Sequence, residues 1–239
     1  MFFSRKKKQQ HSGLEKNSFV FESKDALSRH FGFQRRELII EDDLDEEHYP
    51  EDINSRRRND AEVLSLVAAN APEGNMLDIG THLGRSAARM AANAPGSTVY
   101  TVNVHPDDFH NAGRLTTERL SVTQIGSFFR DRNITNIVQE YANTLDWNMP
   151  AYISNLSLVY IDGCHDSEAV YSDTRLVLER VVPGGYVLWH DFSPIYRKNF
   201  HWIDACMSGI ERLFDERILT GPIFNVRNSW IGVWKKPAR

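Results

Sequence analysis

The chain has 239 residues, of which 41% are hydrophobic and 25% are charged, which suits one α/β domain with an ordinary core plus an extension. A formal net charge of −4 provides no basic field for nucleic acid, and no apolar stretch has the length of a membrane span. The two cysteines, Cys164 and Cys206, form no CxxC pair, so a disulfide framework or a structural zinc site is not expected. We expect a cytoplasmic protein with no nucleic-acid or membrane partner.

The first 55 residues carry charged runs of both signs and little regular hydrophobic pattern. The basic run Arg5–Lys8 is not followed by the apolar segment of a secretory signal, so we interpret it as a solvated tail. Ser23 can cap a short helix that continues through Arg29. We predict that residues 1–55 form an extension that is partly disordered or lid-forming, and that residues 56–239 form the main domain.

After the extension, predicted helices and strands alternate along the chain. In chain order they are the helix Ala61–Ala69, the strand Met76–Ile79, the helix Arg85–Ala94, the strand Thr98–Val104, the loop His105–Leu120, the helix Ser121–Asp131, the strands Asn136–Tyr141 and Leu156–Ile161, the helix from Asp166 or Ser167 to Arg180, the strand Tyr186–Trp189, the helix Trp202–Phe214 and the strand Trp230–Trp234. This alternation predicts βαβ units and a mostly parallel, doubly wound sheet. The loop His105–Leu120, like the extension, is a candidate lid.

The turn after the first strand of the main domain, Asp78–Gly84 (DIGTHLG), has features of a nucleotide-binding turn. Gly80 permits close approach of the backbone to a ligand, and Gly84 lets the next helix start beside the strand. The dinucleotide fingerprint G-x-G-x-x-G is absent, because position 82 is His and position 85 is Arg, which argues against NAD. Asp78 suits a ligand that presents an ammonium group and a ribose. A plain strand-to-helix turn is the alternative.

Two asparagines follow the next two strands, where nucleoside-binding folds contact the ribose and the base. Asn103 ends the second strand and can accept a ribose hydroxyl with one oxygen only. Asn143 follows the third strand, where an adenine edge would be contacted. Both asparagines also suit ordinary turn positions, and the sequence leaves both interpretations open.

Polar side chains also follow the next two strands. Asp162 ends one strand, and the pair His190 and Asp191 ends the neighbouring one. Because the carboxyl ends of neighbouring parallel strands lie together, the carboxylates can converge on a divalent cation that lowers the pKa of a substrate hydroxyl. His165, three residues after Asp162, can accept the hydroxyl proton as a general base. Each residue alone has an explanation as a turn or cap residue, but together they favour a catalytic site.

The segments DIGTHLGRS and YIDGCHDSEAVYSDTRLVLERVVPGGYVLWHDF resemble the class I S-adenosylmethionine-dependent methyltransferases of the methyltransferase family 24 type, which are similar to macrolide-sugar O-methyltransferases. The resemblance covers about residues 60–235. It implies a Rossmann-like, doubly wound, mostly parallel seven-stranded sheet with an antiparallel last strand. Residues 56–239 would then be the methyltransferase catalytic domain.

The resemblance also implies a set of site residues. The cofactor-binding residues would be Asp78, Gly80, Thr81, Gly84, Asn103 (toward the ribose), Asn143 (toward the adenine) and Asp162. The metal ligands would be Asp162, His190 and Asp191, and the general base would be His165. Two positions depart from the family pattern. His190 stands where a carboxylate or amide is common, which leaves magnesium or manganese open, and Asn103 replaces an acidic residue at the ribose.

We therefore expect an enzyme that transfers a methyl group from S-adenosylmethionine to a hydroxyl of a small molecule (a sugar, a phenol or another natural product), with help from a divalent metal, and that self-associates as a homo-oligomer. Three alternatives stay open at this point. They are a metal-independent methyltransferase acting on a carboxylate or amine, a nicotinamide-dependent oxidoreductase, and a catalytically silent partner subunit that keeps the fold.

Overall fold

The structure, a computed structural model, describes residues 12–34, 36–40, 51–111 and 119–238, with the side chains of residues 51–54 and 109–111 outside the description. Its helices are α1 (Gly13–Asn17), α2 (Lys24–Phe31), α3 (Glu51–Asn70), α4 (Arg85–Asn93), α5 (Ser127–Asp131), α6 (Ser167–Leu178) and α7 (His201–Asp215), with a 3-10 helix at Pro106–Asn111. Its strands are β1 (Ser18–Phe21), β2 (Asn75–Ile79), β3 (Val99–Asn103), β4 (Ile137–Tyr141), β5 (Leu156–Ile161), β6 (Val181–Trp189), β7 (Ile223–Val226) and β8 (Gly232–Lys235).

All the strands belong to one sheet with the order β1-β7-β8-β6-β5-β2-β3-β4. Strand β8 is antiparallel to β6 and β7, and the other pairs are parallel. This confirms the predicted Rossmann-like, mostly parallel sheet with an antiparallel last strand. Within the described residues the sheet has eight strands rather than the predicted seven, because Ser18–Phe21 of the extension pairs in parallel with Ile223–Val226 at the sheet edge.

The central strands are buried on both faces, as their continuous apolar sequence predicts. Every residue of β5 is buried. Its side chains divide between two core clusters, with Val159 and Ile161 facing α6 and α7, and Leu158 and Tyr160 facing α3 and α4. Because helices cover both faces, the carboxyl ends of the central strands are where a ligand can approach the sheet.

The structure differs from the prediction at α5 and β6. The helix predicted from Ser121 begins only at Ser127, because Gly126 has a left-handed φ of +72° and its N–H donates to the carbonyl of His82 at 2.9 Å. Strand β6 begins before the predicted Tyr186, since Val181 already pairs with Leu156 of β5. Strand β7 was not predicted.

The described part of the extension packs on the sheet rather than standing apart from it. Ser23 caps α2 by accepting the N–H of Ala26 at 3.3 Å, as predicted. Helix α3 spans Glu51–Asn70, so the predicted boundary at residue 56 lies inside a helix. The division of the chain into an extension and a main domain stays a prediction. Residues 41–50 and 112–118 lie outside the described residues, and the lid role of the two segments that contain them also stays a prediction.

Among the described helices, none combines the length and apolar character that crossing a bilayer would need.

Candidate active site

A cavity of about 430 Å³ lies at the carboxyl ends of β2, β3, β4 and β5. Its lining residues are Arg57, Ile79, Gly80, His82, Val102–Val104, Leu120, Ala142–Leu145, Asp162–His165 and Ala169. The cavity therefore lies where open α/β sheets bind their ligands. Its lining includes Gly80, Asn103, Asn143, Asp162 and His165 from the predicted site.

The turn after β2 is shaped by two glycines that no other residue could replace without strain. Gly80 has a φ of +106°, and a Cβ there would lie 2.2 Å from the carbonyl oxygen of Asp162. Gly84 has a φ of +90°, and a Cβ there would lie 2.5 Å from the ring of Phe129 in α5. Gly80 thus lets the turn approach the end of β5 beside the cavity, whereas Gly84 is required by packing against α5.

His82, between these glycines, also has a left-handed φ, of +48°. Its N–H donates to Asn103 Oδ1 at 3.1 Å, and its side chain lines the cavity. The left-handed conformation of a non-glycine residue is uncommon and concentrates at ligand sites. The histidine that breaks the dinucleotide fingerprint is therefore part of the cavity wall.

Two predicted cofactor residues, Asp78 and Thr81, support this turn from behind. Asp78 is fully buried and accepts a hydrogen bond from Thr101 Oγ1 at 2.6 Å. Thr81 is also buried, with its Oγ1 2.8 Å from Thr101 Oγ1. Burial raises the pKa of Asp78 to about 7, against the opposing effect of its hydrogen bonds. Neither residue lines the described cavity, so a contact between these side chains and a cofactor stays a prediction.

Asn103 and Asn143 line the cavity and also hold its loops. Asn103 accepts from His82, and its Nδ2 donates to the carbonyl of Val104 at 2.9 Å. Asn143 Oδ1 accepts the N–H of Leu145 at 3.2 Å, as in an Asx turn. Both asparagines therefore have the loop contacts of the turn interpretation, and their contact with a cofactor stays a prediction.

The polar residues at the ends of β5 and β6 come together as the sequence predicts. His190 Nδ1 lies 3.1 Å from Asp162 Oδ1 and 3.6 Å from Asp191 Oδ1. His165 Nε2 lies 3.2 Å from Asp191 Oδ2 and 3.8 Å from Asp162 Oδ1. Asp191 reaches this position with a left-handed φ of +53°, a strain that is typical of functional sites. We call Asp162, His165, His190 and Asp191 the acid–imidazole cluster.

The cluster has the donor chemistry of a metal site. One ligand atom each of Asp162, His165 and His190 lies within 4.8 Å of the others, so His165 joins two of the three predicted ligands. His190 Nδ1 is buried and makes no hydrogen bond, although it faces both carboxylates. A buried imidazole nitrogen that faces two carboxylates can act as a ligand atom when a cation replaces its proton. Imidazole nitrogens beside carboxylates suit Mn²⁺ or another transition metal better than Mg²⁺.

The electrostatics of the cluster favour positive charge between the carboxylates. Burial lowers the pKa of His190, but the charges of Asp162 and Asp191 outweigh it and hold that pKa well above its usual value. The pKa of His165 is raised in the same way, against the effect of burial. Burial raises the pKa of Asp162, but the two imidazoles lower it more, to below its usual range. Imidazolium protons or a bound cation can supply the positive charge.

Sequence reasoning missed two residues of α3 that belong to this region. Arg57 lines the cavity, and Asp60 lies behind His190, with its Oδ2 3.4 Å from His190 Nε2. Asp60 and His190 are 130 positions apart, and no local pattern marks either Arg57 or Asp60. Only the packing of α3 against the strand ends identifies them.

Comparison with known proteins agrees with this geometry. A methyltransferase 24 family model, described as a methyltransferase domain, matches residues 77–192, which contain the turn after β2 and the whole acid–imidazole cluster. No curated protein matches the chain.

Solved structures share the fold at low sequence identity. The O-methyltransferase NovP has a TM-score of 0.57 at 15% identity, over 77% of this chain and 80% of its own. A putative caffeoyl-CoA O-methyltransferase from Staphylococcus aureus has a TM-score of 0.51 at 15% identity, over 81% of this chain and 96% of its own. A protein from Corynebacterium glutamicum has a TM-score of 0.52 at 12% identity, over 97% of this chain and 92% of its own.

Proposed function

The chain is a class I S-adenosylmethionine-dependent methyltransferase, and from this premise we propose that it methylates a hydroxyl of a small molecule with the help of a divalent cation held by the acid–imidazole cluster. The observation that carries the proposal is the convergence of two carboxylates and two imidazoles at the ends of β5 and β6, where Asp162 and His165 also line the cavity. The methyltransferase assignment removes the nicotinamide-dependent oxidoreductase from consideration.

S-adenosylmethionine would bind in the cavity, whose volume of about 430 Å³ is within the usual range for small-molecule sites. Gly80 lets the turn lie against the end of β5 in the cavity wall, and Asn103 and Asn143 line the part that would take the ribose and adenine. Arg57 places a guanidinium in the lining, where it can pair with the carboxylate of the cofactor's methionine portion.

The reaction needs an acceptor oxygen in line with the sulfonium methyl group. The oxygen–carbon bond forms as the sulfur–carbon bond breaks, the electron pair of that bond stays on sulfur, and the hydroxyl proton passes to His165. A divalent cation would supply the charge that lowers the pKa of the acceptor hydroxyl. His165 Nε2 lies between Asp162 and Asp191, which stabilise the proton once it arrives. Holding both reactants in place contributes about 7–11 kcal/mol.

A metal-independent methyltransferase is the second candidate, and the ion pairing in the cluster favours it. Two imidazoles already face two carboxylates, so protons alone can balance the charge. In that case the protonated His165 does not act as a base, and an acceptor that needs no base, such as a carboxylate or a neutral amine, becomes possible. Sensitivity of methyl transfer to a chelator separates the two candidates.

The first experiment measures binding and transfer separately. Calorimetry with adenosylhomocysteine tests the cavity, and calorimetry with Mn²⁺ tests the cluster. Methyl transfer from labelled S-adenosylmethionine to a panel of sugars, phenols, carboxylic acids and amines is then measured with and without EDTA. Transfer to hydroxyls that is abolished by EDTA and restored by Mn²⁺ supports the proposal, while unchanged transfer in EDTA refutes the role of the metal.

The role of Arg57 has its own test. Because Arg57→Gln removes the cation that faces the ligand carboxylate, we expect adenosylhomocysteine to bind about tenfold more weakly, which corresponds to about 1.4 kcal/mol. Affinity for adenosine, which lacks the carboxylate, should not change. Equal losses for both ligands would contradict the proposed contact.

A further inference from the structure

The acid–imidazole cluster has the cavity on one side and an aromatic surface on the other. Within the part of the chain that the structure describes, none of the cavity lining comes from β6, β8 or α7. With S-adenosylmethionine in the cavity and the acceptor hydroxyl at the cluster, the rest of the acceptor extends away from the cofactor, because the reacting atoms have to lie in line. It therefore extends toward β6, β8 and α7, and the side chains there decide which acceptor fits.

Three aromatic side chains, Phe200, Trp202 and Trp230, form this surface, which we call the aromatic wall. Phe200 stacks on Trp202, with ring centroids 4.9 Å apart and an angle of 29° between the rings. The ring centroid of Trp230 lies 5.2 Å from that of Phe200 and 6.5 Å from that of Trp202. All three side chains are only partly buried, so ring surface is left for contact with a ligand.

One end of the aromatic wall lies beside His190. The carbonyl of Trp230 accepts the N–H of Phe192, two residues after His190, at 2.9 Å. Arg56 lies over the Trp230 ring, 4.2 Å from its centroid, and Arg56 Nη1 is 3.3 Å from His190 Nε2. A single side chain, Arg56, thus contacts both the wall and the cluster.

The other end of the wall lies on the side of His165. Helix α7 packs against the segment that carries this histidine, and Cys206 Sγ lies 3.7 Å from the carbonyl oxygen of His165. Trp202 is one helical turn before Cys206 and lies on the same face of α7. The wall therefore extends from the His165 side of the cluster to the His190 side.

The chemistry of the wall favours a flat, apolar acceptor. Aromatic rings attract one another by stacking and by edge-to-face contact, beyond the effect of the buried area. Arg56 and Ser229, two polar side chains next to Trp230, already donate to Asp60. A sugar on the wall would bury several hydroxyls beside groups that have partners, which costs free energy. A phenol has one hydroxyl, and that hydroxyl would lie at the cluster.

We propose that the aromatic wall is the acceptor subsite, and that the acceptor is a phenol whose ring packs on Phe200, Trp202 and Trp230 while its hydroxyl lies at the acid–imidazole cluster. This inference rests on the proposed function and names its substrate class. The phenolic oxygen gains the methyl group, the sulfur keeps the electron pair of the broken bond, and the phenolic proton passes to His165.

The ligand preference of the natural sequence is the first test. Ligand-observed NMR titrations of the adenosylhomocysteine complex measure the affinity of 2-naphthol, phenol, cyclohexanol and methyl glucoside. We expect the affinity to fall in that order, with about a 2–10-fold step from phenol to cyclohexanol, since only the aromatic ring stacks on the wall. Absence of phenol binding, or methyl glucoside bound as tightly as phenol, overturns the inference.

Phe200→Leu and Trp202→Leu each remove one ring of the wall. We expect the KM for a phenolic acceptor to rise about 2–10-fold in each variant, with kcat and the affinity for adenosylhomocysteine within about twofold of the natural values, because neither side chain lines the cavity. The matched control is Phe214→Leu, at the opposite end of α7, where the ring is also partly buried against the same core. An equal rise in KM for all three variants would indicate a general packing effect and refute the inference. If a wall variant does not fold, the ligand preference of the natural sequence decides alone.

The outcomes separate this inference from the proposed function. If the natural sequence binds no adenosylhomocysteine and transfers no methyl group, the proposed function fails and the acceptor subsite fails with it. If it methylates sugars in preference to phenols, or if the wall variants keep the natural KM, only the subsite is refuted. Methylation of phenols that depends on the wall but persists in EDTA supports the subsite and refutes the role of the metal.

Discussion

The turn after β2 and the acid–imidazole cluster lie next to each other at one cavity and depend on side chains in different ways. At the turn, Asp78 and Thr81 point into the core, and the path of the backbone through Gly80 shapes the wall. At the cluster, the predicted side chains themselves converge, with His190 Nδ1 3.1 Å from Asp162 Oδ1. A glycine turn therefore predicts the path of the backbone. Polar residues at neighbouring strand ends predict which side chains lie within contact distance of one another.

The strongest test of the cluster is removal of Asp162. Asp162→Ala removes a ligand of the proposed cation and a charge that orients both imidazoles. Because cation assistance alone is worth several kcal/mol, we expect the methyl-transfer rate to fall about 10⁴-fold. Single-turnover kinetics measures the loss, and calorimetry should show Mn²⁺ binding lost as well. A variant that binds Mn²⁺ normally would remove Asp162 from the ligand set.

His165 tests base chemistry within the cluster, and Mn²⁺ affinity measured beside kcat shows whether the same side chain is also a metal ligand. His165→Gln keeps a polar side chain but cannot accept the proton, so we expect kcat to fall roughly 10²–10³-fold. Adenosylhomocysteine affinity should change little, since the cavity wall keeps its shape. If kcat is unchanged while KM rises, His165 contacts the acceptor without acting as its base.

For the turn, Gly80→Ala tests whether backbone shape is what matters. A Cβ at Gly80 would lie 2.2 Å from the carbonyl oxygen of Asp162, on a φ of +106°. We expect a loss of roughly 2–3 kcal/mol in the free energy of unfolding and weaker adenosylhomocysteine binding. Gly96→Ala is the matched control, because no atom lies within 4 Å of its Cβ and its φ is not left-handed. Equal stability of the two variants would contradict the backbone argument.

Asp78 is expected to affect stability rather than methyl transfer, and the effect depends on pH. The folded pKa of about 7 lies above the ordinary 3.8, so the native state holds a proton that the unfolded state releases as the pH rises. Asp78 therefore costs stability above pH 4, and the cost is complete only above pH 7. Linkage between the two pKa values gives about 3 kcal/mol of lost stability between pH 5 and pH 8. Asp78→Asn should remove this slope in urea unfolding at a series of pH values. If Asp78→Asn leaves the slope unchanged, the pKa of Asp78 does not differ between the folded and unfolded states and the prediction is wrong.

Much of the fold could be predicted because its signals are local. The apolar run of β5 predicted a strand buried on both faces, and Ser23 predicted the start of α2. The late start of α5 could not be predicted, because it depends on a hydrogen bond from Gly126 to the distant His82. Strand β1 was missed for the same reason, since its partner β7 lies at the other end of the chain.

The sequence by itself determined the βα order and the polar residues that end β5 and β6, because alternation and strand ends can be recognised within a few residues. The same short motifs, which are the turn after β2 and the polar residues after β5 and β6, also supported the methyltransferase assignment. Only the tertiary structure decided which atoms face the cavity and which face the core. It turned Asp78 inward, added Arg57 to the wall and placed Asp60 behind His190. Side-chain direction and neighbours depend on strand register, turn conformation and helix packing, which are set by contacts between segments far apart in the chain.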